Sequence, residues 1–197
     1  MTAGLAILLI ATFRWERGGR SLRARARTPV PRAIGWTWNV FQAVLLFYPI
    51  LMVVWPDVAY GTVLHFSFPF DTAVQVLGLL LWALGVGLLL WCSRLLGPLM
   101  MTDGVVEGHE LMTRGPFAVI RHPTYLGHML MALGAATLFL STVLLVLALL
   151  TILFAYVQAR GEEQLLASPE GFGEAYRAYM RTTGRFLPRL RFRRQSV

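Results

Sequence analysis

Long apolar runs separated by short, arginine-loaded connections give this chain its rhythm. Four runs dominate, at residues 34–55, 73–92, 124–140 and 142–157, and a shorter one occupies residues 2–13. A helix needs about 17–25 mostly apolar residues to cross the hydrocarbon layer of a bilayer. The runs at 34–55 and 73–92 meet that length comfortably and the next two just meet it, whereas the run at 2–13 crosses part way or lies tilted at the interface. That first run does not read as a signal peptide, because no positive charge precedes it and no small-residue cleavage site follows it. The pattern predicts an all-α fold, a polytopic bundle of about five transmembrane helices.

The connections differ from one another. Residues 14–32 are rich in Gly, Pro and Arg with no apolar face, and predict a loop or a short interfacial helix. Residues 56–70 form an outer loop whose Tyr60, Phe66, Phe68 and Phe70 suit a membrane–water interface. Residues 95–120 hold Gly97, Gly104, Gly108 and Gly115, too many glycines for a helix. Beyond Val157, Ser168 and Pro169 read as the cap and first position of a further helix. Phe172, Ala175, Tyr176, Tyr179 and Met180 form one stripe of it and Arg177 and Arg181 face away. This amphipathic C-terminal helix is expected to fold over a cavity as its wall. The chain thus divides into residues 1–93, membrane helices with an arginine-rich loop, and residues 94–197, which carry the polar chemistry.

Composition supports a membrane setting: 56% of residues are hydrophobic and 14% charged, far from the balance of a soluble domain. All 18 basic residues are arginines. Seven lie in 14–32, three in 94–121 and eight in 160–194, with none in the 56–70 loop. Helices at the apolar runs put every arginine on one side, which the positive-inside rule makes the cytoplasm. The net charge of +8 therefore reads as a membrane signal directed at anionic lipid, with no nucleic acid as partner. Cys92 stands alone and reads as packing.

Candidate chemistry concentrates in the second half. Pro123 suits the first position of a helix, which makes His122 its cap, with Arg121 just outside. His122, Tyr125 and Met129 share a face, and such a helix start offers free N–H groups and a positive dipole end to an anion. Glu162 and Glu163 lie past the last apolar run, where carboxylates are costly unless they meet a cation or water. Glu163 pairs with Arg160 one turn back, or meets a bound cation. His109, His122 and His128 lack thiolate or acidic neighbours at ligand spacing, so no metal site is expected. His128 packs in the bundle or lines a cavity, and His65 lies in the outer loop.

Taken in order, these residues resemble the isoprenylcysteine carboxyl methyltransferase family and its relatives, the phospholipid methyltransferases. The resemblance rests on His109-x-Leu111 with Gly115-Pro116-Phe117, then Arg121-His122-Pro123-x-Tyr125, then Glu162-Glu163. Phe172-Gly173-x-x-Tyr176-x-x-Tyr179 and Gly184-Arg185-Phe186-x-Pro188 complete it. The first half matches only as a pattern of apolar helices. The resemblance implies S-adenosylmethionine as cofactor at the cytoplasmic face, with contacts from His109, Leu111, Gly115, Phe117, Arg121, His122, Tyr125, Leu126, Glu162 and Glu163. It implies Glu163 and Arg185 as the catalytic pair, Arg185 lying toward the acceptor. Relatives often carry a Trp-Ser or Phe-Thr pair after the glycine matching Gly97, where this chain reads PLMMTD, so the acceptor side differs. Gly85-Val86-Gly87 is similar to a Gly-x-Gly of the phospholipid enzymes, although close helix packing accounts for it more simply.

Methyl transfer from a sulfonium is an in-line displacement, so a protein chiefly positions the partners, excludes water and balances charge. Aromatic faces and a carboxylate suit the sulfonium and ammonium; Phe117, Tyr125, Tyr176 and Glu163 can supply them. The expected reaction is methylation of a lipophilic acceptor entering from the bilayer, a carboxylate first, with a phospholipid amine or a thiol as alternatives. An NADPH-dependent sterol-type reductase and a non-enzymatic membrane protein are the rival classes.

Overall fold

The computed structural model describes residues 24–57, 65–67, 69–101, 104–108 and 110–189. The run at 2–13, the outer aromatics Tyr60 and Phe68, and His109 lie outside them. Each of the four long apolar runs is a helix: α1 (Arg32–Val54), α2 (Asp71–Leu96), α3 (Pro123–Phe139) and α4 (Thr142–Leu166). Pro123 does open α3 and His122 is its N-cap, but by backbone position alone, because its side chain makes no capping bond. A tight hairpin joins α3 to α4. Leu140 takes a left-handed conformation at φ 50°, and the Ser141 hydroxyl caps α4 by accepting from the Leu144 N–H at 3.4 Å.

The structure sets bounds on two expectations and corrects two others. First, among the described residues two helices are long and apolar enough to cross a membrane, Asp71–Met100 and Thr142–Leu166, while the runs predict about five over the whole chain. Only 17% and 28% of those stretches is buried in the protein, so most of their apolar surface needs lipid, unlike the core helix of a soluble domain. α3 has 17 residues, about 25 Å at 1.5 Å per residue, short of the hydrocarbon thickness. Second, α4 runs past the apolar stretch to Leu166, so Arg160, Glu162 and Glu163 are helical, as the one-turn spacing of Arg160 and Glu163 requires. Third, the arginine-rich segment holds a strand at residues 24–27, followed by a turn at 28–31 that leads into α1. Strand β1 (Ala24–Arg27) pairs antiparallel with β2 (Gly104–Val106), Ala26 opposite Val105. Fourth, Ser168 is not a cap. Residues 167–173 are turns, Ser168 Oγ donates back to the Leu165 carbonyl at 2.7 Å, and helix α5 (Glu174–Thr182) starts after Gly173. Ala175 consequently lies exposed while Tyr176 is buried.

The seam between α2 and α3 is made of glycines. A Cβ on Gly85 would lie 2.6 Å from the Gly127 carbonyl oxygen, and one on Gly134 would lie 2.5 Å from the Trp82 nitrogen. Backbones that close leave no room for any side chain. Gly87 faces open space, so the packing reading of the Gly-Val-Gly stretch holds for its first glycine only. Small residues also let α1, α3 and α4 converge, with Ala132, Ala135, Ala136 and Ala148 around Met52, Phe139 and Leu144. At one end of this bundle His65 bridges to Ser141 beside the α3–α4 hairpin. The other end gathers the start of α1 and α3, the end of α2 and α4, the β1–β2 ribbon and α5. All the polar chemistry described below lies there.

Candidate active site

The turn after α5 makes the site possible. Residues 184 and 185 run alongside the entrance to α3, so that the N–H groups of Arg121 and His122 donate to the Gly184 and Arg185 carbonyls at 2.8 and 3.1 Å. The helix start therefore does not offer those two N–H groups to a ligand. The same backbone pairing carries the Arg185 side chain over α4, where it grips Glu163 with two parallel bonds, Nε to Oε1 at 3.1 Å and Nη2 to Oε2 at 2.5 Å. From the opposite side Arg121 Nε donates to Glu163 Oε1 at 2.9 Å. Arg121 Nη1 also donates to the Met180 and Thr183 carbonyls, tying the end of α5 to the cluster.

Glu163 is buried and His122 is buried beside it. His122 Nε2 stands 3.3 Å from Glu163 Oε1, an ion-pair contact short of a hydrogen bond, which leaves that nitrogen the one buried side-chain polar atom without a hydrogen-bond partner among the described residues. Its Nδ1 lies 3.5 Å from Glu162 Oε2. Burial opposes charging the ring, yet the two carboxylates of Glu162 and Glu163 outweigh it and raise His122 above its ordinary 6.5. Arg185 is likewise held charged by Glu163. Arg160, expected as the partner of Glu163, takes no part; its guanidinium lies 6.0 Å from the ring centre of Tyr156. Glu163 is thus already matched by two arginines, whereas Glu162, with 37% of its side chain exposed, is the accessible carboxylate.

Aromatic rings continue from the cluster into the bundle. Tyr125 lies 5.5 Å from His122 between ring centres, and Phe186 lies 6.1 Å from the same imidazole on the C-terminal side. Trp38 of α1 meets Tyr125 edge-on at 5.7 Å and His128 at 5.5 Å. His128 Nδ1 is 2.8 Å from the Thr124 carbonyl, which makes His128 a packed bundle residue. Phe117 sits on the 3-10 turn Gly115–Ala118, buried, and its carbonyl accepts from the Tyr179 hydroxyl. Burial raises the Tyr179 phenol to about 12, so it stays a donor at neutral pH.

Of the residues singled out from sequence, the fold brings together Arg121, His122, Tyr125, Glu162, Glu163 and Arg185. Leu126 follows on the first turn of α3, its N–H bonded to the His122 carbonyl. Gly115 has φ 59° and packs against Leu95 and Trp91 at the end of α2. Leu111 is half-buried in the loop before it. Tyr176 is a core residue packed on Tyr179, not an open aromatic face. Trp38 went unnoticed because nothing in the spacing of α1 distinguishes it from an interfacial anchor.

Residues 73–169, a little under half of the chain, match the family model described as phospholipid methyltransferase. The match covers α2, α3 and α4 with Arg121, His122, Glu162 and Glu163, and stops before α5 and Arg185. It bears out the resemblance read from the sequence. No curated protein matches the chain.

Proposed function

We propose, from a chain whose central segment is of a membrane methyltransferase family, that this protein transfers a methyl group from S-adenosylmethionine to a lipophilic acceptor held in the bilayer. The observation that carries the reading is that the matched segment converges on one polar cluster, buried His122 and Glu163 with Arg121 and the accessible Glu162 beside them, at the end of a helix apolar enough to span a membrane. S-adenosylmethionine supplies an electrophilic methyl group on a sulfonium.

The residues present suit that cofactor. Nε2 of His122 makes no hydrogen bond within the described residues and is able to make one, and the Tyr125, Phe186 and Trp38 rings suit a sulfonium. Arg121, Leu111, Gly115, Phe117 and Leu126 complete the proposed binding set, with His109 outside the described residues. Glu163 anchors Arg121 and Arg185 so that their charge orients an anion. Glu162 meets the ammonium. α5 and the turn after it keep water from the cluster. The arginine-rich end lies in the cytoplasm, where a soluble cofactor reaches it.

A carboxylate acceptor is already ionised at neutral pH and needs an arginine for orientation but no base; Arg185 suits that task. The family description favours a phospholipid amine instead, and the accessible Glu162 beside His122 could hold the proton such an amine must lose. Calorimetry of the purified protein should show binding of S-adenosylhomocysteine and none of NADPH; the reverse would make it a reductase. Membranes given methyl-labelled S-adenosylmethionine then divide the acceptors. Mild alkali releases label from a carboxyl ester as volatile methanol, whereas label that stays non-volatile means an amine or thiol.

A further inference from the structure

Beside the cluster on α4, the turn between β1 and α1 leaves a groove of ≈ 310 Å³ lined by Pro29, Val30, Tyr156, Arg160 and Gln164, and the Tyr156 ring also carries the Arg185 guanidinium at 5.1 Å. The turn is seated firmly: a Cβ on Gly161 would stand 2.3 Å from Val30 Cγ2, so turn and helix are in van der Waals contact beneath the groove. Arg121 and Arg185 pair with Glu163, and Arg177 and Arg181 with Glu174. Arg160, by contrast, has no carboxylate partner among the described residues and lies over the Tyr156 ring. Below the groove, Val146, Leu149, Leu153 and Tyr156 follow helical spacing on one exposed stripe of α4, 50%, 56%, 56% and 44% accessible.

We propose that this groove binds an anionic phospholipid, its phosphate on the Arg160 guanidinium and its acyl chains along Val146, Leu149 and Leu153. A guanidinium fork matches phosphate oxygens and is lightly hydrated, so it exchanges water for phosphate at modest cost. The apolar stripe distinguishes a lipid from a free anion, because it offers nothing to phosphate alone. Tyr156 stands at the depth where α4 changes from apolar to polar, the level of a headgroup. The groove adjoins the cluster through Tyr156, which the Arg185 guanidinium overlies, but lipid binding there requires only that α4 lie in a membrane.

The test is native mass spectrometry of the full chain in a neutral detergent, titrated with phosphatidylglycerol. Arg160→Gln should lower occupancy about tenfold, the loss of a charge-assisted contact, while Arg160→Lys keeps part of it. Leu153→Ser should also weaken binding, and Arg177→Gln should leave it unchanged. Unaltered binding by Arg160→Gln would overturn the proposal. So would equal affinity for phosphatidylcholine, or displacement by excess inorganic phosphate. S-adenosylhomocysteine binding, measured on the same Arg160→Gln sample, should persist; its absence in every variant and in the parent would remove the methyltransferase reading and leave the lipid result standing.

Discussion

Helix α3 is held in two contrasting ways. Along its length it meets α2 through glycines, with backbone against backbone and no side chain between. At its start it meets α4 and the C-terminal turn through Arg121, His122, Glu163 and Arg185. The first contact is built by leaving atoms out, so it tolerates no addition and is indifferent to pH. The second is built from charges drawn from three separate stretches, so it tolerates no removal and titrates. A place that must exchange ligands is made in the second way, because an ionic cluster can change partners and a glycine seam cannot.

The strongest challenge to this contrast is deletion within the cluster. Glu163→Ala strands two guanidiniums, one of them only 9% exposed, and should cost about 3 kcal/mol, as breaking a buried ion pair does. Combining it with Arg185→Met should recover part of the loss, read as Tm in detergent. If the single variant melts like the parent, the cluster does not hold the C-terminal turn in place.

Gly85→Ala tests the seam and should cost about 1–3 kcal/mol through forced separation of α2 and α3. Gly87→Ala, which faces open space, should stay within about 0.5 kcal/mol. Equal effects from the two glycines would refute the seam.

A pH titration sharpens the comparison further. His122 is raised above 6.5 in the folded protein, so its protonated form stabilises the fold fully below 6.5, and that contribution fades as pH rises through the folded value. Stability should therefore fall above pH 6.5 with a slope of at most about 1.4 kcal/mol per pH unit. His122→Gln should flatten that slope and Gly85→Ala should not.

The smallest expected effect is at Tyr179, whose hydroxyl donates to the Phe117 carbonyl. Tyr179→Phe should cost about 0.5–1.5 kcal/mol, together with a weaker affinity for S-adenosylhomocysteine if the 3-10 turn forms one wall of the site. Calorimetry of that variant beside its melting curve separates the two effects.

Much of the scaffold was legible. The apolar runs lie in α1 to α4, and Pro123 and Thr142 open α3 and α4 as their local chemistry predicts. Other signals were present and misread. Alternation of Arg and Ala over residues 23–27 has the period of a strand, and it was overlooked because Gly, Pro and Arg dominate the surrounding composition. Ser168-Pro169 has the letters of a helix start, yet Phe172 N–H returns to the Leu166 carbonyl and Gly173 takes φ 55°, so the chain turns twice before α5.

The partner of Glu163 marks the boundary between what sequence and tertiary structure each determine. Helical spacing offers Arg160, three residues away, whereas the folded chain supplies Arg121 and Arg185, 42 and 22 residues distant. Sequence alone determines where the long apolar helices form and which end is basic, because burying an apolar run and satisfying its backbone are needs each such segment carries by itself. Which charge meets which is decided only when α3, α4 and the turn after α5 come together. Coulombic attraction depends on separation in space and on the water excluded from between the groups, and neither quantity is written in the order of the residues.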